Sequence, residues 1–432
     1  MRGGIRIGSI WGVPLYADLG AFFLFGLFTW LSSAVYSGIS PQLALPFGIA
    51  TGLTLSFSIL IHELAHTYVA KSQGIEVKRV ALSLLGGFTE MDQEYRSPWA
   101  AFAVSVIGPL ITVAFGLAML LVANQLGLQI LISNLAGSSR TNAQLPAELI
   151  ESLGAVRILS ALLCREVGRL NLVWGVFNLL PFFPLDGGQV LRAILWKLCG
   201  DRLKSSIWSA QIGQACGLAI IFWGVYVLFS AGTFDSIWLM LIGWMVSTTA
   251  GARVQLTNIQ QALLQVTCES AMTRDFRIVD GNMSLREFAD RYLLSEPKEC
   301  LYFASTDGRD RGLIQVEQIK QIDRSLWERE TVMRIVKPTR DLDTADLHQS
   351  LAEIIHTLET KQIRSLTILS PVGSIAGVVD RGDVLVALAR KLRWSIPESF
   401  LQEIKRQAKF PPEFRLAEIS AQLVALQAKQ EQ

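Results

Sequence analysis

Residues Ser56–Thr67 read SFSILIHELAHT, and this stretch decides the class of protein. It is an apolar run that contains the pattern His-Glu-x-x-His. On a helix, His62 and His66 are one turn apart and face the same side. Two imidazoles at this spacing can share one zinc ion, with Glu63 beside them as general base. The alternative interpretation is a polar helix-packing patch, in which these side chains hydrogen-bond to neighbouring helices.

The chain around this motif is apolar in its first part and charged in its second. Hydrophobic residues make up 51% of the 432 residues and charged residues 18%, which is less charge than the roughly 25% of an average soluble domain. The long apolar runs lie in residues 1–258, whereas residues 259–432 have the composition of a charged globular region. We therefore expect an α-helical polytopic membrane domain in residues 1–258, followed by a soluble α/β region. The net charge of +2 and the lack of a long basic run argue against nucleic acid as a partner.

Six apolar runs approach the length of about 20 residues that a membrane span requires. The predicted spans lie near Leu19–Tyr36, Leu45–Ala70, Trp99–Ala123, Asn171–Leu195, Ile207–Phe229 and Ile237–Gly251. Basic residues precede the first span, separate the second from the third and follow the fourth, while the loop after the first span has none. The positive-inside rule then places both termini and the soluble region in the cytoplasm. The sequence thus predicts an integral, multi-pass protein of the plasma membrane or an internal membrane.

The fourth predicted span is irregular. Pro181 and Pro184 interrupt it, and Gly187-Gly188 follow. Broken backbone at membrane depth is tolerated only where it is buried in protein or lines a watery cavity. Asp186 lies just beyond the break, and a catalytic zinc usually has three protein ligands. We therefore consider Asp186 the best candidate for the third ligand, with an interfacial Asp-Gly turn as the alternative.

The two segments together resemble the site-2 protease family of intramembrane metalloproteases. That family pairs His-Glu-x-x-His in one span with Asn-x-x-Pro-x-x-Pro-x-Asp-Gly in a later one, and here these patterns are residues 62–66 and 178–187. The resemblance implies a zinc endopeptidase that cleaves transmembrane segments of membrane proteins within the lipid bilayer. It implies one Zn²⁺ per chain, held by His62, His66 and Asp186. It also implies that Glu63 is the catalytic acid/base and that Asn178 helps to hold substrate or the oxyanion.

Two shorter segments add to this resemblance. Residues 82–88 are similar to a membrane-embedded strand and loop of the family that is thought to pair with unwound substrate. The substrate-binding residues implied there are Leu84, Leu85, Gly86 and Gly87. Gly108-Pro109 is similar to the Gly-Pro of the family's next span. The family often has Asn three residues after that proline, where this chain has Thr112. We expect this departure to weaken a packing or polar contact but to leave the metal site untouched.

The soluble region contains an internal repeat. Residues 264–390 form two similar halves, each with a short entry segment, a helix, two strands and a second helix. This repeat resembles a tandem pair of CBS domains (expected over residues 259–393), with residues 394–432 as a docked helix or a mobile tail. The resemblance implies modulation of the protease by the pair, and a homodimer through it.

An adenine nucleotide is the ligand that the CBS resemblance implies. In the second half, Asp383 ends the stretch that corresponds to the family's ligand signature and could accept from ribose hydroxyls. The hydroxyl position of that signature is Asp380 here, and a second carboxylate would repel phosphate. A purely structural or protein-binding pair is therefore the competing interpretation.

Two other classes of protein remain open on sequence alone. A transporter or channel gated by a CBS pair would also join spans to this soluble region, but it would not require His-Glu-x-x-His together with Asp186. An inactive homologue that acts as a binding scaffold would not require Glu63, which is intact here.

Overall fold

The structure is a computed structural model that describes residues 4–38, 40–83, 86–91, 95–126, 154–232, 236–294, 300–411 and 414–430. The chain divides into two compact units, Met1–Gln255 and Leu256–Gln432.

Helices dominate the first unit. In chain order the described helices that begin in this unit are α1 (Leu19–Tyr36), α2 (Pro41–Ser72), α3 (Pro98–Gln125), α4 (Ala155–Asn178), α5 (Asp186–Cys199), α6 (Arg202–Ala231) and α7 (Ser236–Gln265). Within the described part of the chain, five of them are long and apolar enough to cross a membrane by length and composition, namely α1, α2, α3, α6 and α7. These five correspond to predicted spans one, two, three, five and six.

The fourth predicted span is broken in the structure at the point where Pro181 and Pro184 predicted an interruption. Helix α4 ends at Asn178, the chain turns through residues 179–185, and α5 begins at Asp186. The prolines in this turn lack the N–H groups that a continuing helix would need. The first of the two helices begins earlier than expected, at Ala155. Arginines interrupt the hydropathy pattern in this part of the chain. Between them, the buried residues Ile158, Leu159 and Val167 recur at helical spacing.

A small sheet lies among these helices. Its strands are β1 (Ile5–Ile10), β2 (Val13–Ala17), β3 (Val77–Ser83) and β4 (Gly86–Met91), hydrogen-bonded in that order. The β2–β3 pair is parallel and the other two pairs are antiparallel. Strand β4 therefore stands at one edge of the described sheet. Residues Leu84 and Leu85, two of the four expected substrate-binding residues, lie outside the described residues.

The second unit contains the two α/β halves that the repeat predicts. The first sheet has the order β5 (Phe276–Asp280), β6 (Leu301–Thr306), β7 (Arg309–Ile314), β8 (Val336–Pro338), and the second has β9 (Thr344–Asp346) and β11 (Ile375–Asp380) on either side of β10 (Ser365–Leu369). In each half, the first strand runs parallel to the next one in the chain, which pairs antiparallel with the following strand. The described helices are α8 (Cys268–Ala271), α9 (Leu285–Phe288), α10 (Leu351–Thr360), α11 (Arg381–Leu392), α12 (Glu398–Gln407) and α13 (Leu416–Gln430). We refer to residues 264–390 as the CBS-like pair.

The closing helices of the two halves differ. In the second half, Asp380 and Asp383 form a reciprocal capping box at the start of α11, which satisfies two backbone N–H groups. In the first half, Gln315 precedes the corresponding segment without a side-chain cap, and Val316–Gln321 forms only a 3₁₀ helix. The expected second helix of the first half is therefore a short 3₁₀ segment.

The described part of the C-terminal segment packs onto the second half. Ile404 of α12 and Leu416 and Leu423 of α13 are buried in the same apolar core as α10 and α11. Trp394 and Phe414 stack with their ring centroids 5.7 Å apart. Of the two alternatives for residues 394–432, the described residues adopt the docked one.

Candidate zinc site and active site

Three potential ligand atoms meet at one point between α2 and the start of α5. Nε2 of His62 lies 3.1 Å from Nε2 of His66 and 3.1 Å from Oδ2 of Asp186. The Asp186 oxygen is 3.4 Å from the His66 nitrogen, which closes the triangle. Both histidines are buried, with 7% and 6% of their surface exposed. The structure thus brings together the three residues that the sequence predicts as metal ligands.

The opposite ring nitrogens fix how the two imidazoles are protonated. Nδ1 of His66 lies 2.5 Å from the carbonyl oxygen of Val104, which can only accept a hydrogen bond. Nδ1 of His62 lies 2.9 Å from the hydroxyl oxygen of Thr112, and that hydroxyl donates to the carbonyl oxygen of Gly108. Each imidazole therefore carries a proton on Nδ1, which leaves Nε2 as the ring nitrogen that faces Asp186.

This arrangement fits a bound zinc ion. Imidazole nitrogens and carboxylate oxygens bind zinc when they carry no proton, and three such atoms lie close together here. Nitrogen and oxygen ligands bound to tetrahedral zinc at about 2.0–2.1 Å lie about 3.3 Å from one another, and the observed separations are 3.1–3.4 Å. Two imidazoles and one carboxylate form a common ligand set of catalytic zinc sites, which keep the fourth position open.

Glu63 lies beside the three ligands and is held from strand β4. Its side chain is buried, and its Oε2 atom accepts a hydrogen bond of 2.8 Å from the hydroxyl of Thr89. A Cβ atom placed on Gly87 would collide with the Glu63 side chain and would lie 2.8 Å from its Oε1 atom. The glycine at position 87 therefore lets β4 approach the carboxylate closely.

A second glycine makes room for the histidine pair. A Cβ atom on Gly108 of α3 would lie within 3 Å of the Nε2 atoms of both His62 and His66. Any side chain here would enter the space between the imidazoles. The Gly-Pro segment expected from the resemblance thus has a steric role at the metal site.

The broken segment between α4 and α5 positions Asp186. Backbone hydrogen bonds from Leu185 to Phe182 and from Gly188 to Leu185 fold it into consecutive turns. Gly188 packs directly against the backbone of this segment, and Ser209 of α6 donates a hydrogen bond of 2.7 Å to its carbonyl oxygen. The start of α5 is therefore anchored on both sides, which directs Asp186 inward as expected.

A cavity of about 420 Å³ opens onto these groups, which is within the usual size range of ligand pockets. Asn178, the last residue of α4, lines it together with His62, Glu63 and Asp186. Its apolar wall is formed by Phe28, Leu55, Ile59, Leu170, Trp174 and Leu185. The expected catalytic residues therefore share one cavity.

Two of the expected substrate-binding residues, Gly86 and Gly87, also line this cavity. They belong to the edge strand β4, so the described part of the predicted strand and loop lies beside Glu63.

The candidate nucleotide residue Asp383 is engaged within the protein. Its side chain is 10% exposed, and its Oδ1 atom accepts a hydrogen bond of 2.7 Å from Lys405 of α12. Its other oxygen accepts from the backbone N–H of Asp380 at 3.2 Å. Burial raises the pKa of Asp383, the nearby Asp380 raises it further, and Lys405 opposes both effects.

Sequence reasoning foresaw no contact with the candidate catalytic residues for several polar residues, among them Thr89 and Thr112. It assigned no role to Thr89, and it expected Thr112 to leave the metal site untouched. In the structure the Thr112 hydroxyl contacts the ring of the candidate ligand His62 directly, a contact that sequence reasoning did not foresee. The sequence feature that could have indicated this contact is the spacing of one helical turn between Gly108 and Thr112.

Comparisons with known proteins show the family of this chain. Residues 50–224 match the family model described as Peptidase family M50. The Synechocystis sp. protein sll0528, whose name places it among zinc metalloproteases, is 30% identical over 393 residues, covering 90% of this chain and 96% of the relative. Zinc metalloprotease MJ0392 of Methanocaldococcus jannaschii is 25% identical over 389 residues, covering 90% and 97%.

Two solved structures are also similar to parts of this chain. The Site-2 Protease from Methanocaldococcus jannaschii has 25% identity and a TM-score of 0.38, covering 58% of this chain and 95% of that one. The CBS domain of a bacterial CNNM/CorC family Mg²⁺ transporter in complex with ATP has 13% identity and a TM-score of 0.26, covering 31% and 94%.

The chain belongs to peptidase family M50, the site-2 proteases. It is accordingly a multi-pass membrane protein and a zinc metalloprotease. This membership decides against the transporter or channel, and the buried Glu63 beside the three ligands argues against an inactive scaffold.

Proposed function

We propose that this protein cleaves a peptide bond inside a transmembrane segment of its membrane-protein substrates, and that the CBS-like pair modulates this cleavage. The observation that carries the proposal is the meeting of His62, His66 and Asp186 beside Glu63, in a cavity whose walls include helices of membrane-spanning length.

The two histidines and Asp186 would hold the zinc, and each has a fixed orientation. When bound, zinc supplies Lewis-acid chemistry, in that it polarises the scissile carbonyl and acidifies a water molecule. Glu63 accepts the proton of the attacking water and delivers it to the leaving amine. Thr89 fixes Oε2 of Glu63, which leaves Oε1, the oxygen beside Gly87, to carry the proton.

Asn178 is proposed to bind the substrate carbonyl. Its side-chain amide has two N–H donors, and it lines the cavity that contains the ligands and Glu63. A donor that meets the developing oxyanion stabilises the transition state more than the ground state.

A transmembrane helix hides its peptide bonds in internal hydrogen bonds, so it must unwind before cleavage. Strand β4 is the edge of its sheet among the described residues, and Gly86 and Gly87 place that edge in the cavity. An unwound substrate added beside β4 would regain the backbone hydrogen bonds that it loses in the apolar membrane. The resemblance to the family implies that Leu84 and Leu85 also contact the substrate.

The basic residues between the spans support an orientation with both termini and the CBS-like pair in the cytoplasm. Modulation by an adenine nucleotide at Asp383 would require the nucleotide to displace Lys405 from that carboxylate. We also keep a homodimer through the pair as a proposal from resemblance.

The modulation is tested by cleavage rates with and without ATP, in the wild type and in Asp383→Asn. If the nucleotide acts through this carboxylate, ATP changes the cleavage rate of the wild type and does not change the cleavage rate of the variant. An equal response in both proteins places the nucleotide elsewhere, and no response in the wild type removes the nucleotide from the proposal.

The protease function is tested with the full chain in liposomes and a substrate that has one transmembrane helix. Mass spectrometry of the products locates the cleaved bond, and a zinc chelator provides the control. We expect cleavage between residues of the substrate's apolar span and its loss with chelator. Products cut only outside the span, or cleavage that persists without zinc, would contradict the proposal.

A further inference from the structure

The residues of helix α3 that lie next to His62 and His66 are all on one face of the helix. Val104, Gly108 and Thr112 follow each other at intervals of four residues, so they form a single stripe along the helix. The carbonyl oxygen of Val104 accepts a hydrogen bond from His66, and Gly108 leaves space for both rings. The hydroxyl oxygen of Thr112 lies against Nδ1 of His62. All three positions are buried.

The hydroxyl of Thr112 has two roles that use different parts of the group. Its proton goes to the carbonyl oxygen of Gly108, at 3.1 Å, within the same helix. A lone pair then remains for Nδ1 of His62, at 2.9 Å. A hydroxyl has one proton and two lone pairs, so both contacts can be made together only if the imidazole donates.

From this network we infer that Thr112 is a positioning residue, which fixes the ring and the tautomer of His62 so that Nε2 is directed at the metal. The inference rests on the proposed role of His62 as a zinc ligand. A partner at the second ring nitrogen typically contributes to metal affinity as well as orientation. Without this acceptor, the buried N–H of His62 would have to find another partner, and the ring could turn away from Asp186.

A purely structural role makes a different prediction. Thr51 of α2 is a matched control, because it is also fully buried and also donates to the carbonyl oxygen four residues earlier, that of Phe47. Its second contact is the hydroxyl of Tyr36, at 3.1 Å, rather than a candidate metal ligand. Valine keeps the shape of threonine at either position and removes only the hydroxyl.

The experiment measures zinc affinity of the full chain in detergent by competition with a chelator of known affinity, for wild type, Thr112→Val, Thr112→Ser, Thr51→Val and His62→Ala. We expect the zinc dissociation constant of T112V to rise about 10- to 100-fold. T112S keeps the hydroxyl and should retain wild-type affinity, as should T51V. Unfolding of each variant is followed by circular dichroism.

Wild-type affinity in T112V would overturn the inference, and so would an equal loss in T112V and T51V. If T112V does not fold, Thr112→Ala replaces it: lost affinity in T112A that T112S restores supports the positioning role, and unchanged affinity in T112A overturns it. His62→Ala separates this result from the proposed function. Zinc lost in H62A but kept in T112V rejects only the role of Thr112, whereas zinc kept in H62A rejects the ligand set itself.

Discussion

Nε2 of His62 and Oδ2 of Asp186 lie 3.1 Å apart although 124 residues separate them in the chain. The contact joins the middle of a long helix to the first residue of another, across a backbone break that contains two prolines. No hydrogen bond within either helix requires it. A zinc ion held by both groups, as we propose, would account for the contact.

Replacement of Asp186 by Asn should weaken zinc binding and abolish cleavage. The amide has the same shape as the carboxylate but lacks its negative charge, which a divalent cation requires of this ligand. Zinc content by atomic absorption and the cleavage rate check this outcome. Asp18→Asn is the matched control, because Asp18 caps α1 through the N–H of Ala21 and Asn caps helices equally well. If D186N retained zinc and activity as D18N is expected to do, this result would contradict the assignment of Asp186 as a zinc ligand.

Gly108→Ala should damage the metal site while its helix still forms. The new methyl group would lie within 3 Å of both Nε2 atoms and would push the imidazoles apart. We expect loss of bound zinc and of cleavage, with helix content by circular dichroism unchanged. Gly26→Ala in α1 is the control, since a Cβ there meets nothing within 4 Å. Equal zinc content in the two alanine variants would show that the tight fit at position 108 is not needed.

Asn178→Ala should slow the reaction without loss of zinc. If the amide stabilises the oxyanion, its removal lowers kcat by roughly 10²- to 10³-fold. Zinc content stays at the wild-type level because Asn178 is not among the three ligands. The measurement is kcat and KM with a transmembrane substrate in liposomes. A change confined to KM would assign Asn178 to substrate binding only.

Arg381→Met should loosen the second half of the CBS-like pair. Arg381 is 3% exposed, and its guanidinium donates to Glu359 at 2.8 Å and to the carbonyl oxygens of Ile363 and Leu358 at 2.8 and 3.1 Å. Its loss leaves three acceptors without a donor, at a cost on the order of 3 kcal/mol.

Hydrogen exchange of α10 and α11 in the full chain measures this effect. Arg364→Met, at an exposed arginine next to the same segment, is the control and should leave exchange unchanged. Wild-type protection in R381M would show that the buried guanidinium does not stabilise this half.

The sequence predicted the parts of the site that depend on local spacing. One helical turn between the histidines fixes their common face, and the closely spaced Pro181 and Pro184 indicated an interrupted helix. The sequence indicated Asp186 as the candidate third ligand because few carboxylates lie at membrane depth. Five of the six spans followed from hydropathy alone.

The remaining features depend on how helices rotate against each other. Whether Thr112 faces His62 or lipid is decided by the packing of α3 on α2, which no local pattern encodes. Thr89 reaches Glu63 only because Gly87 lets β4 approach. The start of α4 was hidden because Arg157 and Arg165 interrupt its hydropathy while its apolar face remains continuous. The strands β1 and β2 were not predicted at all.

The most direct measurement combines zinc content and cleavage in one preparation of Glu63→Gln. Glutamine keeps the shape of the side chain and can still accept from Thr89, but it cannot take a proton from water. We predict one zinc per chain, as in the wild type, and no cleavage of a transmembrane substrate. Cleavage by E63Q at the wild-type rate would contradict the account, because Glu63 would then not be the base of this protease.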